Sequence, residues 1–504
     1  MASKDIKTEH TLDPEDWDEA RRVGHQMVDD MMDYLMTLRE RPVWQPMPEE
    51  AKQALHENLP MTATSLADVY AEFKDNILPY PTGNIHPRFW GWVMTNGTPT
   101  SMLAEMLAAG MNPHLAGYDQ SASMVEKQLI SWMRQLLGFP NTADGLLVSG
   151  ATMANINGLA AARTAKAGYD IRSEGLTGND HSELTVYGSS ELHSWINKAC
   201  ELMGMGRRAY RKIAVDENYQ IDIIACRTAI EADINAGKKP FCVIGSVGTV
   251  NTGASDDIVA LRALADEFDL WLHIDGAFGS LAALTPDYKH LTKGQELADS
   301  LAFDLHKWGF MPYEIGCVIV RDAKAQDEAF GQNASYLTAQ PRGLSVGGTH
   351  FADKGIELSR GFKALKAWMT FKEHGFGKIG EIIAQNIEQA QYLAELVNAD
   401  NHLELLAPVP MNIVCFRYTG PGLDQNKLNQ INQEILVRLQ ETGLAVPSQT
   451  VLGGNFAIRV AICNHRTRAE DLDILVDAVL KEATSLIADS RETYEQENSA
   501  PPLS

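Results

Sequence analysis

The chain predicts an α/β fold with a mixed, mostly parallel sheet, and three observations carry that expectation. Short apolar runs alternate with helical patterns from Leu184 to Val320, the pattern of a parallel sheet covered by helices. Ser149, His193, Thr249, Asp275 and Lys307 each follow a strand or its next turn, the end of such a sheet where ligands bind. An apolar helical stretch precedes this region and a second strand-and-helix unit follows it. With 504 residues, the chain reads as several domains: a helical arm or dimerisation segment over 1–97, a large domain over 98–375, a small α+β domain over 376–488 and a flexible tail over 489–504.

Composition narrows the class. Hydrophobic residues at 45% and charged residues at 22% are those of a globular protein in water. No apolar run approaches the roughly 20 residues of a membrane span. Met1-Ala2-Ser3-Lys4-Asp5 has no signal-type apolar core, so a cytoplasmic location is expected. A net charge of −23 argues against nucleic acid or an anionic membrane as partner. Cys200, Cys226, Cys242, Cys317, Cys415 and Cys463 lie mostly in apolar segments without ligand spacing. Buried thiols are expected, with neither disulfides nor a metal site.

Taken in order, Asp13-Pro14 reads as an N-cap and first position of a helix running to about Arg39, with Val23, Met27, Met31, Tyr34 and Leu38 on one face. That stripe needs a partner surface, and a second subunit is the sharper expectation. A second helical pattern covers Leu55 to Pro79. Ile85 to Trp92 is rich in aromatics, which serve either as packing or as a wall for a flat ligand. A helix from Ser123 to Leu137 follows, then the run Gly145 to Asn155. A strand, small and hydroxylated residues, and a helix N-terminus form a cradle for phosphate, because free N–H groups and the helix dipole face an anion. The spacing is neither that of a Walker A loop nor GxGxxG, and no GxSxG elbow is present.

Strands are expected at Leu184–Tyr187, Ala209–Val215, Phe241–Ser246, Leu270–Asp275, Ser300–Phe303 and Ile315–Val320. Helices are expected at Ser194–Met203, Arg227–Ala236 and Asp257–Phe268. Ala329 to Leu358 reads as a long loop carrying Tyr336, and loops of this length are often functional lids. A helix from Gly355 to about Glu373, another at Ile379–Val397 and an α+β unit complete the chain before a frayed tail from Asp489.

The chemistry centres on Lys307 and Asp275. Lys307 stands just beyond an apolar strand, where water is scarce and an amine can attack a carbonyl. Asp275 ends the neighbouring apolar strand. A Schiff-base lysine with an aspartate for a pyridinium nitrogen is the minimal equipment for pyridoxal 5′-phosphate (PLP).

The motifs His306-Lys307-Trp308 with Gly316-Cys317-Val318, His273-Ile274-Asp275-Gly276-Ala277-Phe278, Gly248 to Asp257, Glu191-Leu192-His193-Ser194 and Ser149 to Asn155 together resemble the group II PLP-dependent decarboxylases, closest in pattern to the aromatic L-amino acid decarboxylases. The resemblance covers about Asp13 to Ile487. It implies PLP fold-type I (aspartate-aminotransferase-like) and a homodimer with its active site at the interface. It implies that Lys307 links the cofactor, Asp275 holds its ring nitrogen protonated and His193 stacks on the ring. Ser149, Gly150, Ala151 and Thr152, with His306, then hold the phosphate, while Thr249 and Ala277 lie against the cofactor. Tyr336 resembles the loop tyrosine that returns a proton to the substrate carbon after CO2 leaves; aldehyde synthases carry phenylalanine there. Arg459 resembles an arginine that pairs with a substrate carboxylate. Asp304-Leu305 departs from the commoner Asn-Pro, and Asp304 is expected to point away from the phosphate. Gly276 and Phe278 replace the commoner alanine and tyrosine.

The substrate expectation is an aromatic amino acid, tyrosine or DOPA before tryptophan. His86, Phe89, Trp90 and Trp92 form the proposed aromatic wall, and the Ser359 hydroxyl suits a phenol. Arg88 keeps open an acidic substrate such as glutamate, aspartate or cysteine sulfinate, since a distal carboxylate needs a cation. A PLP aminotransferase, an aldehyde synthase and a cofactor-free interaction protein are the remaining alternatives.

Overall fold

The computed structural model describes residues 10–94, 96–176, 181–332, 341–346 and 350–499, with 489–499 as backbone only. Tyr336 lies outside the described residues.

Helix α1 spans Trp17–Met36, and Asp16 caps it by accepting from the Asp18 and Glu19 amides. The helix thus starts later than Asp13-Pro14 implies, because Asp16 is the residue that satisfies two orphan first-turn donors. Val23, Tyr34 and Leu38 are buried, whereas Trp17 and Met36 are exposed. A short helix α2 (Glu49–Ala54) precedes the expected helix over 55–79, and of that range only α3 (Leu66–Glu72) and the π-helical turn after it (Phe73–Ile77) are helical. The Tyr70 phenol donates to Asp30 at 2.8 Å and ties α3 to α1. The segment ends in strand β1 (Phe89–Trp90).

The large unit continues through α4 (Pro99–Met111), α5 (Ser121–Leu136), β2 (Asp144–Val148), α6 (Ala151–Lys166), α7 (Ile171–Glu174) and β3 (Leu184–Ser189). Then come α8 (Trp195–Leu202), β4 (Tyr210–Ile213), α9 (Ile223–Asn235), β5 (Lys239–Ser246), α10 (Ile258–Glu267) and β6 (Trp271–Asp275). β7 (Ser300–Asp304), β8 (Gly316–Val320) and α11 (Ala323–Phe330) close it. The sheet order is β2-β8-β7-β6-β5-β3-β4. β8 runs antiparallel to β2 and β7, and the remaining neighbours pair in parallel. β6, β7 and β8 are buried throughout, as strands covered on both faces must be.

Helix α12 (Ala364–Ala399) leads into the small unit and kinks at Gly375, whose φ is 72°. It starts later than expected, and Arg360 lies in the irregular segment before it. β9 (Leu403–Leu405), β10 (Ile413–Tyr418), α13 (Gln425–Glu441), β11 (Val446–Leu452), β12 (Asn455–Ala461) and α14 (Ala469–Ser499) follow. The α14 backbone continues past Asp489, where a frayed tail was expected; its Arg, Glu and Gln residues are good helix formers.

The small sheet has the order β1-β11-β12-β10-β9, so a strand from the N-terminal segment forms its edge. Phe89 sits opposite Val446, and Trp90 opposite Pro447. Asp471, fully buried, receives Arg39 at 3.0 Å and Arg88 at 3.7 Å, fastening the same segment to the C-terminal unit. All six cysteines are free and buried. Among the described residues, no helix is long and apolar enough to cross a membrane.

Candidate active site

The carboxyl ends of β2, β3, β5, β6 and β7 converge on one cavity of about 410 Å³. Ser149, Gly150, Ala151, Thr152, His193, Thr249, Asp275, Ala277, His306 and Lys307 all line it. Ten positions spread over 159 residues meet there because parallel strands present the same end on one edge.

Each face of the cavity has a distinct chemistry. At α6 the first helical hydrogen bond runs from the Ala154 amide to the Gly150 carbonyl. The amides ahead of it have no acceptor within the helix, and the first of them, Ala151, faces the Asp304 carboxyl; such a helix N-terminus is an anion site. β8 approaches this turn so closely that a Cβ on Gly316 would lie 2.6 Å from the Gly150 Cα and 2.8 Å from the Asp304 Oδ1. Glycine is the residue that permits that approach.

At β6 the Asp275 carboxylate is oriented by two donors. The Trp195 indole donates to Oδ2 at 2.7 Å and the Ala277 amide to Oδ1 at 3.2 Å. Beneath it His273 bonds Ser300 and Asn155, each at 2.7 Å, and burial pushes its pKa down to about 4.

His193 accepts from the Trp195 amide at Nδ1, so its proton sits on Nε2. Withdrawal from bulk water lowers its pKa, against the opposing pull of Asp275. His306 accepts from the Ile315 amide at Nδ1, 3.1 Å away, and burial pushes it down to about 3. It is a neutral ring whose Nε2–H faces the cavity. The Lys307 amine is 3.2 Å from Asp304 Oδ2.

Other residues lie elsewhere. His86 is buried beside the N-terminal segment, and its Nδ1 accepts from the Arg88 amide. Phe89 and Trp90 are buried in β1; Phe89 packs with Val43 and Val446, and Trp90 joins the small unit's core. Of that aromatic run the cavity is lined by Trp92, past the strand end, together with Val93 and Met94. Ser359 is exposed and outside this chain's cavity lining. Arg88 is spent on the Leu444 carbonyl and Asp471.

Arg459 donates to the Trp92 carbonyl at 3.0 Å, the Asn251 carbonyl at 3.2 Å, Ser448 Oγ and the Val250 carbonyl. It therefore fixes the cavity rim rather than presenting a free guanidinium, and burial pushes it down to about 10. Asp304 also departs from expectation. Its carboxyl turns into the cavity because β7 carries it to the same edge as Lys307.

The model of the pyridoxal-dependent decarboxylase conserved domain matches residues 48–419. The chain belongs to this family. It is 32% identical over 459 residues to an aromatic-L-amino-acid decarboxylase of Bacillus atrophaeus, covering 90% of this chain and 93% of that one. It is 28% identical to tyrosine decarboxylase 1 of Narcissus pseudonarcissus, covering 97% and 96%. The crystal structure of Oryza sativa TDC with PLP and tryptamine aligns with a TM-score of 0.87 at 26% identity, covering 94% of this chain and all of that one.

The protein is thus a PLP-dependent amino acid decarboxylase of fold-type I. The cavity fits the cofactor chemically: a helix N-terminus for the phosphate, an oriented carboxylate for the ring nitrogen and an amine for the aldehyde. Sequence reading passed over three groups in this decarboxylase site. Trp195 follows His193 by two residues and holds Asp275. Tyr313 packs on His306 with ring centroids 4.6 Å apart. Asn251 donates to Glu191 at 2.8 Å and accepts from Thr450 at 3.1 Å, joining the cavity rim to the small unit. The adjacent His193 and an Asn in a Gly-rich turn were the available signals for the first and third.

Proposed function

We propose that this enzyme decarboxylates an aromatic L-amino acid, tyrosine or DOPA before tryptophan. The observation that supports this most is Trp92 at the cavity mouth. It is 55% exposed, with its carbonyl held by Arg459 and its amide donating to Ser448 Oγ at 3.2 Å. A flat apolar face beside Val93 and Met94 matches an aromatic side chain. Among the described residues no arginine lines the cavity, so a substrate's second carboxylate finds no such partner there. The curated relatives named above act on substrates of the same aromatic class.

When bound, the cofactor supplies a protonated conjugated ring that accepts the electron pair left by departing CO2. In this reading Lys307 provides the attaching amine, Asp275 keeps the proton on the ring nitrogen and His193 covers the ring face. Ser149 to Thr152 with His306 hold the phosphate, and Thr249 and Ala277 bound the ring. Tyr336 returns the proton to the substrate carbon.

The exposed apolar residues Trp17, Met36, Leu59, Met61, Met106 and Met111 suit burial against a second copy of the chain, which is the proposed homodimer.

The test is CO2 and amine release from a panel of L-amino acids with added PLP. Amine from tyrosine or DOPA, lost in Lys307→Ala and diverted to aldehyde in Tyr336→Phe, is the expected result. Amine from glutamate or cysteine sulfinate alone overturns the substrate class.

A further inference from the structure

The Asp304 carboxyl is 1% exposed and stands at the junction of three elements. Oδ2 lies 3.2 Å from the Lys307 amine and 3.4 Å from His306 Nε2. Oδ1 has no hydrogen-bond partner among the described residues. A Cβ built on Gly150 would sit 3.7 Å from Oδ1, and one on Gly316 2.8 Å. Oδ1 therefore faces the turn at the N-terminus of α6, whose free N–H groups and dipole suit an anion. A carboxylate and a phosphate cannot share that turn while both are fully charged.

We propose that Asp304 takes up one proton as the cofactor's phosphate docks, so that a neutral carboxyl donates to the phosphate and cofactor affinity becomes pH-dependent through this residue. The inference rests on the assignment of PLP to this cavity. The proton comes from solvent and stays on the carboxyl; no other bond forms or breaks at Asp304.

The groups around it fit that step. Lys307 and the Ala151 amide of α6 favour the charged carboxylate, while Asp275 on β6 opposes it. His306 is neutral, accepting at Nδ1 with its Nε2 3.4 Å from Asp304 Oδ2. The remaining titratable groups facing it, His193, the Tyr313 phenol and the Cys317 thiol of β8, are held towards their neutral forms by burial. Burial already pushes Asp304 up to about 6 against the pull of Lys307. The arriving phosphate would add like charge, and Lys307, engaged with the cofactor's aldehyde, would no longer offset the Asp304 carboxylate. Both changes favour the protonated carboxyl further.

The experiment is PLP titration of the apoenzyme, wild type against Asp304→Asn, followed by cofactor absorbance. Because linkage to one proton gives a tenfold change per pH unit, the ratio of wild-type to variant Kd is expected to grow about tenfold per unit above about pH 6. Calorimetry in two buffers of different ionisation enthalpy should find about one proton more taken up by wild type than by the variant. Parallel pH profiles overturn the proposal while leaving the PLP site intact. Failure of Asp304→Asn to bind PLP, with Asp304→Ser also failing and both melting like wild type, overturns it too. Failure of wild type to bind PLP removes the site assignment and this inference with it.

Discussion

The Trp195 indole nitrogen donates to Asp275 Oδ2 at 2.7 Å, and both side chains are buried. One oxygen of the carboxylate is thereby committed, and the pair fixes how Asp275 faces the cavity. Trp195→Phe keeps the packing and removes the donor. A hydrogen bond to a charged group contributes about 1.5–3 kcal/mol, so kcat is expected to fall on the order of tenfold or more, with PLP still bound. Steady-state kinetics beside cofactor absorbance measure both, and an unchanged kcat removes the positioning role.

Arg459 acts on the substrate side by holding Trp92 and the Val250-Asn251 turn. Arg459→Lys keeps the charge but loses the planar fork that serves several carbonyls at once. KM for an aromatic substrate is expected to rise about tenfold, the effect of losing roughly one hydrogen bond to a charged group, with a smaller change in kcat. A fall in kcat at constant KM would contradict a role at the rim.

Gly276 stands just past the end of β6, and the fold leaves little room for a side chain there. A Cβ there would lie 1.7 Å from Ser280 Oγ and 2.8 Å from Ser280 Cβ. Gly276→Ala is expected to cost about 1–3 kcal/mol through overpacking, and Ser280→Gly in the same chain should recover part of it. Urea unfolding of the two single variants and the double variant tests the coupling; strictly additive losses refute it.

His273 makes stability fall in mild acid. Its pKa is about 4 in the fold, against about 6.5 in an unfolded chain. Between those values the unfolded state holds a proton that the native ring lacks. Its contribution is thus complete above about pH 6.5 and is lost as pH falls towards about 4, at about 1.4 kcal/mol per unit. His273→Gln can keep contacts to Asn155 or Ser300 without titrating, so its stability profile should be shallower by that slope. Denaturant midpoints across the window are the measurement, and equal slopes would exclude His273 as the source.

Lys307, Asp275, His193 and the turn at Ser149 were legible along the chain because each is a local event: an apolar strand ending in a polar residue, or a helix starting after small ones. The alternation of strands and helices then implies that these ends share an edge. Side-chain direction and distant partners were not legible. Phe89, Trp90 and Trp92 look equivalent in the chain, but pairing of β1 with β11 buries the first two and leaves the third at the cavity. Arg459 reads as a free cation until the carbonyl of Trp92, 367 residues away, closes on it. Asp304 was expected to avoid the phosphate turn, yet pairing of β7 with β8 brings it against Gly316. Local pattern encodes where a strand ends and what chemistry it carries. Which face a side chain meets, and which distant carbonyl or carboxylate it must satisfy, depends on sheet register and on contacts that exist only once the chain is packed.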